Sequence, residues 1–95
     1  MQECQVTEVP EGAQLIDVRE PDEFANVHAV GAVNVPLAQI PSALDQIDQT
    51  RPLFVICQAG GRSARACQYL EQAGIHATNV AGGTSAWVDA GLPTE

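Results

Sequence analysis

The run Leu53-Phe54-Val55-Ile56 passes straight into Cys57-Gln58-Ala59-Gly60-Gly61-Arg62-Ser63, and this junction constrains the fold more than any other stretch of the chain. Four consecutive apolar residues read as a strand buried on both faces, as in the interior of a parallel sheet. Beyond the glycines, Ala66, Cys67, Leu70 and Ala73 recur at helical spacing and Gly74 supplies a stop, so residues 63–73 are expected to be helical. A thiol between such a strand and such a helix lies in a concave turn. Glycines let successive backbone N–H groups converge there, and the helix dipole adds roughly half a positive charge. Cys57 is therefore expected to ionise more readily than a free thiol, and the thiolate is the reactive form. The chain reads as a cysteine-nucleophile enzyme.

Strand and helix signals alternate along the rest of the chain. Residues 13–18 read as a buried strand. Residues 20–24 read as a short helix start, with Pro21 and acids in the first turn. Residues 31–35 form a short strand stopped by Pro36. Leu37, Ile40, Leu44 and Ile47 are helically spaced, with Pro41 among them. Residues 77–80 give another strand, Gly82-Gly83 a turn and residues 84–90 a final helix before Gly91 and Pro93. Residues 3–9 are read as an added edge strand. The expectation is one α/β domain over residues 1–95, with a central, mostly parallel sheet and helices on both faces.

Charge narrows the function. Twelve acidic residues face four arginines and no lysine, a formal charge of −8. Such a surface repels nucleic acid and anionic membranes, and the missing lysine rules out Schiff-base chemistry. Any anion site must use backbone dipoles and arginine. Three cysteines without paired spacing argue against a disulfide scaffold and for a reducing, cytoplasmic setting. No cysteine and histidine cluster suggests a metal, and no cofactor motif is present.

Three motifs in order resemble the rhodanese family of sulfurtransferases. Asp17-Val18-Arg19, Glu23-Phe24 and His28-Ala29-Val30-Gly31-Ala32 are similar to the family's D-V-R…E-F…H-I-x-G-A signature. Residues 57–63 are similar to C-x-x-G-x-R-S. Val80-Ala81-Gly82-Gly83, Ala86-Trp87 and Gly91-Leu92-Pro93 are similar to V-x-G-G…A-W…G-L-P. A single copy resembles stand-alone rhodaneses. The resemblance implies a small rhodanese-like fold and a sulfurtransferase that carries sulfane sulfur as a Cys57 persulfide, from a donor such as thiosulfate to a thiol, cyanide or protein acceptor. It implies that Gln58, Ala59, Gly60, Gly61, Arg62 and Ser63 cradle the sulfur, and that the chain acts as a monomer without a cofactor. Many family loops carry a basic residue beside the cysteine or before the arginine; here Gln58, Ala59 and Gly61 stand there, leaving fewer fixed positive charges for thiosulfate. Related cysteine phosphatases use C-x5-R. Only four residues separate Cys57 from Arg62, a tighter loop suited to one sulfur atom.

The remaining side chains have plainer readings. Asp17 and Arg19 are expected to pair and tie the strand end to the first helix, through Glu23. Arg62 either binds a donor anion or anchors the loop on a carboxylate. Cys67 is read as a buried inert thiol, Cys4 as exposed, Trp87 as core, His28 as a hydrogen-bonded structural residue and Tyr69 as a helix flank. Two other functions use or discard the same thiol: a redox or nitrosative sensor, and a non-catalytic interaction module.

Overall fold

A computed structural model describes residues 1–95. Its strands are β1 (Gln2–Cys4), β2 (Gln14–Asp17), β3 (Val33–Asn34), β4 (Leu53–Ile56) and β5 (Thr78–Val80). They form one sheet in the order β1-β5-β4-β2-β3, with every neighbouring pair parallel. The apolar run that opened the sequence is thus the central strand. Val55 and Ile56 are fully buried on its two faces, which explains why β4 shows no polar alternation.

The helices are α1 (Pro21–Asn26), α2 (Gly61–Gln72) and α3 (Gly83–Asp89). One face of the sheet packs Ile16, Val55 and Cys57 against Ala66, Cys67 and Leu70 of α2 and against Ile40 and Ile47. The other face packs Leu15, Ile56 and Val80 against Val6 and Trp87. Trp87 is core as expected, and its indole N–H donates to the Pro93 carbonyl at 2.8 Å. No helix is long and apolar enough to cross a membrane.

Three segments depart from the sequence reading. The helically spaced residues after Pro36 form two 3₁₀ turns, Leu37–Ser42 and Leu44–Gln46. Pro41 has no N–H to give an α-helical bond, and the tighter winding still points Ile40 into the core. The N-terminal strand ends at Cys4, and Val6–Glu8 is a 3₁₀ turn fixed by the Glu8 carboxylate accepting the Gln5 N–H at 2.7 Å. α2 begins at Gly61, two residues before the expected start at residue 63, so Gly61 and Arg62 belong to its first turn.

Candidate active site

Cys57 follows the last residue of β4 and is 1% exposed. Gly60, at φ +114°, turns the chain through the left-handed region and caps α2, a conformation side-chain-bearing residues rarely adopt. The turn brings the Gly60 N–H to 3.1 Å and the Ser63 hydroxyl to 3.2 Å from the Cys57 sulfur. Burial pushes the thiol pKa up. The Ser63 hydroxyl, helped by the backbone N–H groups of Ser63, Gly60 and Ala59, outweighs it and holds the net value below the ordinary 9.0.

The back of the loop is held by the start of α3. The Thr84 N–H and hydroxyl donate to the Cys57 carbonyl at 2.8 and 3.1 Å, and the Ser85 N–H donates to the Gln58 carbonyl at 3.1 Å. Free donors of one helix end are thereby satisfied by the carbonyls of the loop, while the N-terminus of α2 serves the sulfur. Gly83 makes this approach possible: a Cβ there would lie 2.4 Å from the Cys57 carbonyl oxygen.

The predicted cradle divides. Ala59, Gly60 and Ser63 contribute donors to the sulfur. Gln58 points away, its amide donating to Ser85 Oγ at 2.8 Å and accepting from Arg19 at 3.0 Å. Gly61 contributes only its place in the helix. Arg62 forms a bidentate pair with Glu23, at 2.7 and 3.0 Å, so of its two readings the carboxylate anchor is the one the fold adopts.

Arg19 is 2% exposed and grips both oxygens of the fully buried Asp17. The expected route through Glu23 is replaced. Arg19 instead reaches the Val27 carbonyl at 2.7 Å and Gln58, joining the end of β2 to the loop. His28 is structural as read: its ring stacks on Phe24 at 3.6 Å, and Nδ1 lies 2.7 Å from the Phe24 carbonyl. Cys4, expected to be exposed, is half-buried against the second core, because its side chain points to that face of β1.

Asn79 was missed by the sequence reading. It is 1% exposed on β5, opposite Val55 of β4. Its Oδ1 accepts from Ser63, and its Nδ2 donates to the Gly60 carbonyl at 3.2 Å. The Ser63 hydroxyl has one proton and several acceptors in reach: Cys57 Sγ, the Gly60 carbonyl and Asn79 Oδ1. It can rest on Asn79 while the thiol is protonated and turn to the sulfur once the thiolate forms. The available signal was an amide at the centre of the short strand β5, between Thr78 and Val80.

A cysteine at a strand end, its sulfur met by the Gly60 N–H and the Ser63 hydroxyl, defines a candidate nucleophile site, and the comparisons with known proteins give its family. The Rhodanese-like domain family profile matches residues 5–90, and the chain belongs to that family. It is similar to Thiosulfate sulfurtransferase 16, chloroplastic, of Arabidopsis thaliana, 39% identical over 97 residues, covering 88% of this chain and 81% of that protein. It is also similar to the uncharacterized protein YqhL of Bacillus subtilis (strain 168), 43% identical over 76 residues. That match covers 79% of this chain and spans 60% of YqhL. The crystal structure of SSP1007 from Staphylococcus saprophyticus subsp. saprophyticus superposes with a TM-score of 0.87 at 38% identity, covering 98% of this chain and 99% of that one. The parallel five-stranded sheet is thus the rhodanese-like fold, and family and relatives support sulfurtransferase activity in general.

Proposed function

We propose that the protein transfers sulfane sulfur through a persulfide on Cys57. The observation that carries this reading is the buried sulfur held by the Gly60 N–H and the Ser63 hydroxyl at the N-terminus of α2. With thiosulfate as donor, the thiolate attacks the outer sulfur. A bond from Sγ to that sulfur forms, the bond to the sulfonate breaks, and sulfite leaves with the electron pair. The persulfide anion stays on Cys57. A thiolate or cyanide then attacks the outer sulfur and releases the Cys57 thiolate. Once the thiol is ionised, neither step needs a general base, and preorganised N–H groups stabilise the anion throughout. Small thiols, cyanide or a protein thiol are the proposed acceptors, in a reducing cytoplasmic setting.

Geometry favours transfer over sensing by an internal disulfide. Cys4 packs on the opposite face of the sheet from Cys57. Burial pushes the Cys67 thiol up to about 12, which keeps it protonated and a poor resolving nucleophile.

Intact mass after incubation with thiosulfate tests the proposal. One added sulfur, lost on addition of cyanide with release of thiocyanate and absent in Cys57→Ser, is the expected result. Addition of oxygen alone, or sulfur retained in Cys57→Ser, would overturn it.

A further inference from the structure

Gln58 follows Cys57 directly, is half-buried, and turns its side chain away from the sulfur. It is nevertheless held at three atoms. Its Oε1 accepts from Arg19 at 3.0 Å, its Nε2 donates to Ser85 Oγ at 2.8 Å, and its carbonyl accepts the Ser85 N–H at 3.1 Å. An amide carries an acceptor and a donor on one fork, so it can take an arginine on one side and a serine on the other. Both holders are fixed. Arg19 is 2% exposed and locked by Asp17 and the Val27 carbonyl. Ser85 lies in the first turn of α3, beside Thr84, which donates twice to the Cys57 carbonyl. The side chain of Gln58 thus clasps the end of β2 to the start of α3.

The clasp bears on the sulfur through the backbone. The peptide between Gln58 and Ala59 is planar and trans, so its C=O and N–H point in opposite directions. With the carbonyl turned to Ser85, the Ala59 N–H is turned the other way, toward Cys57. Ala59 does little to aim itself: its side chain is exposed, and the next two residues are glycines, which impose no backbone preference. The other two donors differ. The Gly60 N–H and the Ser63 hydroxyl belong to the cap and first turn of α2, and the helix sets them.

We propose that Gln58 is a positioning residue for the Cys57 reaction: clasped between Arg19 and Ser85, it holds the 58–59 peptide so that the Ala59 N–H meets the sulfur before any substrate binds. Gln58 touches no reacting atom. The inference rests on the sulfurtransferase reading for the use of the cradle, while the clasp itself rests on the hydrogen bonds alone. Freed from the clasp, the peptide can turn its N–H to water, and a donor that must reorient stabilises an anion less than a preorganised one. The charged groups around the sulfur come as pairs, Asp17–Arg19 from β2 and Glu23–Arg62 from α1 and α2, with Glu3 of β1 beyond Asn79. The first turn of α3 brings no charge. None of the variants below alters any of these charges.

The test is the midpoint of Cys57 alkylation by iodoacetamide against pH, read by peptide mass in the whole chain. Gln58→Met keeps the length of the side chain and removes both polar atoms. The midpoint should rise by about half to one pH unit, the scale of one hydrogen bond, and sulfur loading from thiosulfate at neutral pH should fall about three- to tenfold. Ser85→Ala keeps the backbone N–H and should raise the midpoint about half as much, while Ser85→Thr restores a hydroxyl and should match the wild type. Gln58→Met combined with Ser85→Ala should shift it no further than Gln58→Met alone, because both act through one contact. A loss of overall stability does not move the midpoint of the folded chain, so the shift separates aiming from mere support. An unmoved midpoint in Gln58→Met overturns the proposal, and so does a fully additive double variant. If Gln58→Met does not fold, equal midpoints in Ser85→Ala and Ser85→Thr overturn it. Failure of wild-type Cys57 to take up sulfur, with the midpoint shifts present, would overturn the sulfurtransferase reading and leave the clasp standing.

Discussion

Cys57 and Cys67 lie in the same core cluster, 1% and 0% exposed, yet their thiols are driven in opposite directions. Burial raises both. At Cys67 burial dominates, Glu71 adds to it, and the value rises to about 12. At Cys57 the hydroxyl of Ser63 and three converging N–H groups reverse the effect. Cys67 lies inside α2, where backbone N–H groups are engaged by carbonyls one turn back, whereas Cys57 faces the end of that helix, where they are free. Reactivity in this fold follows from which donors remain unpaired, and burial by itself predicts the wrong sign.

The largest expected effect separates the two thiols outright. Cys57→Ser should lower sulfur transfer by on the order of a thousandfold or more, while Cys67→Ala retains most of it, in a steady-state thiocyanate assay. Comparable losses in both would end the distinction.

Gly83→Ala attacks the back of the loop. Its Cβ would meet the Cys57 and Gln58 carbonyls at 2.4 and 2.6 Å, at a φ of +57°. A loss of about 3 kcal/mol or more, a fall in Tm on the order of 15 °C, is expected by thermal melting.

Ser63→Ala removes one donor to the thiolate. The midpoint of Cys57 alkylation against pH should rise by about one to two pH units, with a roughly ten- to hundredfold loss of rate at neutral pH. An unmoved midpoint would assign the whole reversal to the backbone.

The smallest effect is thermodynamic, and its sign differs between the two thiols. Between the lowered Cys57 value and the ordinary 9.0, the unfolded chain binds the extra proton, so Cys57 makes stability rise with pH. From 9.0 to about 12 the folded chain keeps the Cys67 proton that the unfolded chain has lost, so stability falls as pH rises. Cys67→Ala should cost about 1 kcal/mol at neutral pH and soften the alkaline decline in denaturant melts. A decline of unchanged steepness would place its source elsewhere.

The sequence by itself determined what local order can express. The apolar run of β4, the glycines after Cys57 and the stripe of Ala66, Cys67 and Leu70 fixed a central strand, a turn and a helix, and with them the position of the thiol. The same stripe misplaced the start of α2, because first-turn residues such as Gly61 and Arg62 need not be apolar. Spacing alone also read Leu37, Ile40 and Leu44 as an α-helix, where Pro41 imposed tighter turns. Tertiary structure decided everything that joins distant residues. Glu23 meets Arg62 across 39 positions, Arg19 reaches Gln58 across 39, and Asn79 meets Ser63 across 16. No periodicity encodes these pairings. They arise because parallel strands bring the ends of β2, β4 and β5 to one edge of the sheet, where buried polar groups have to find each other once water is gone.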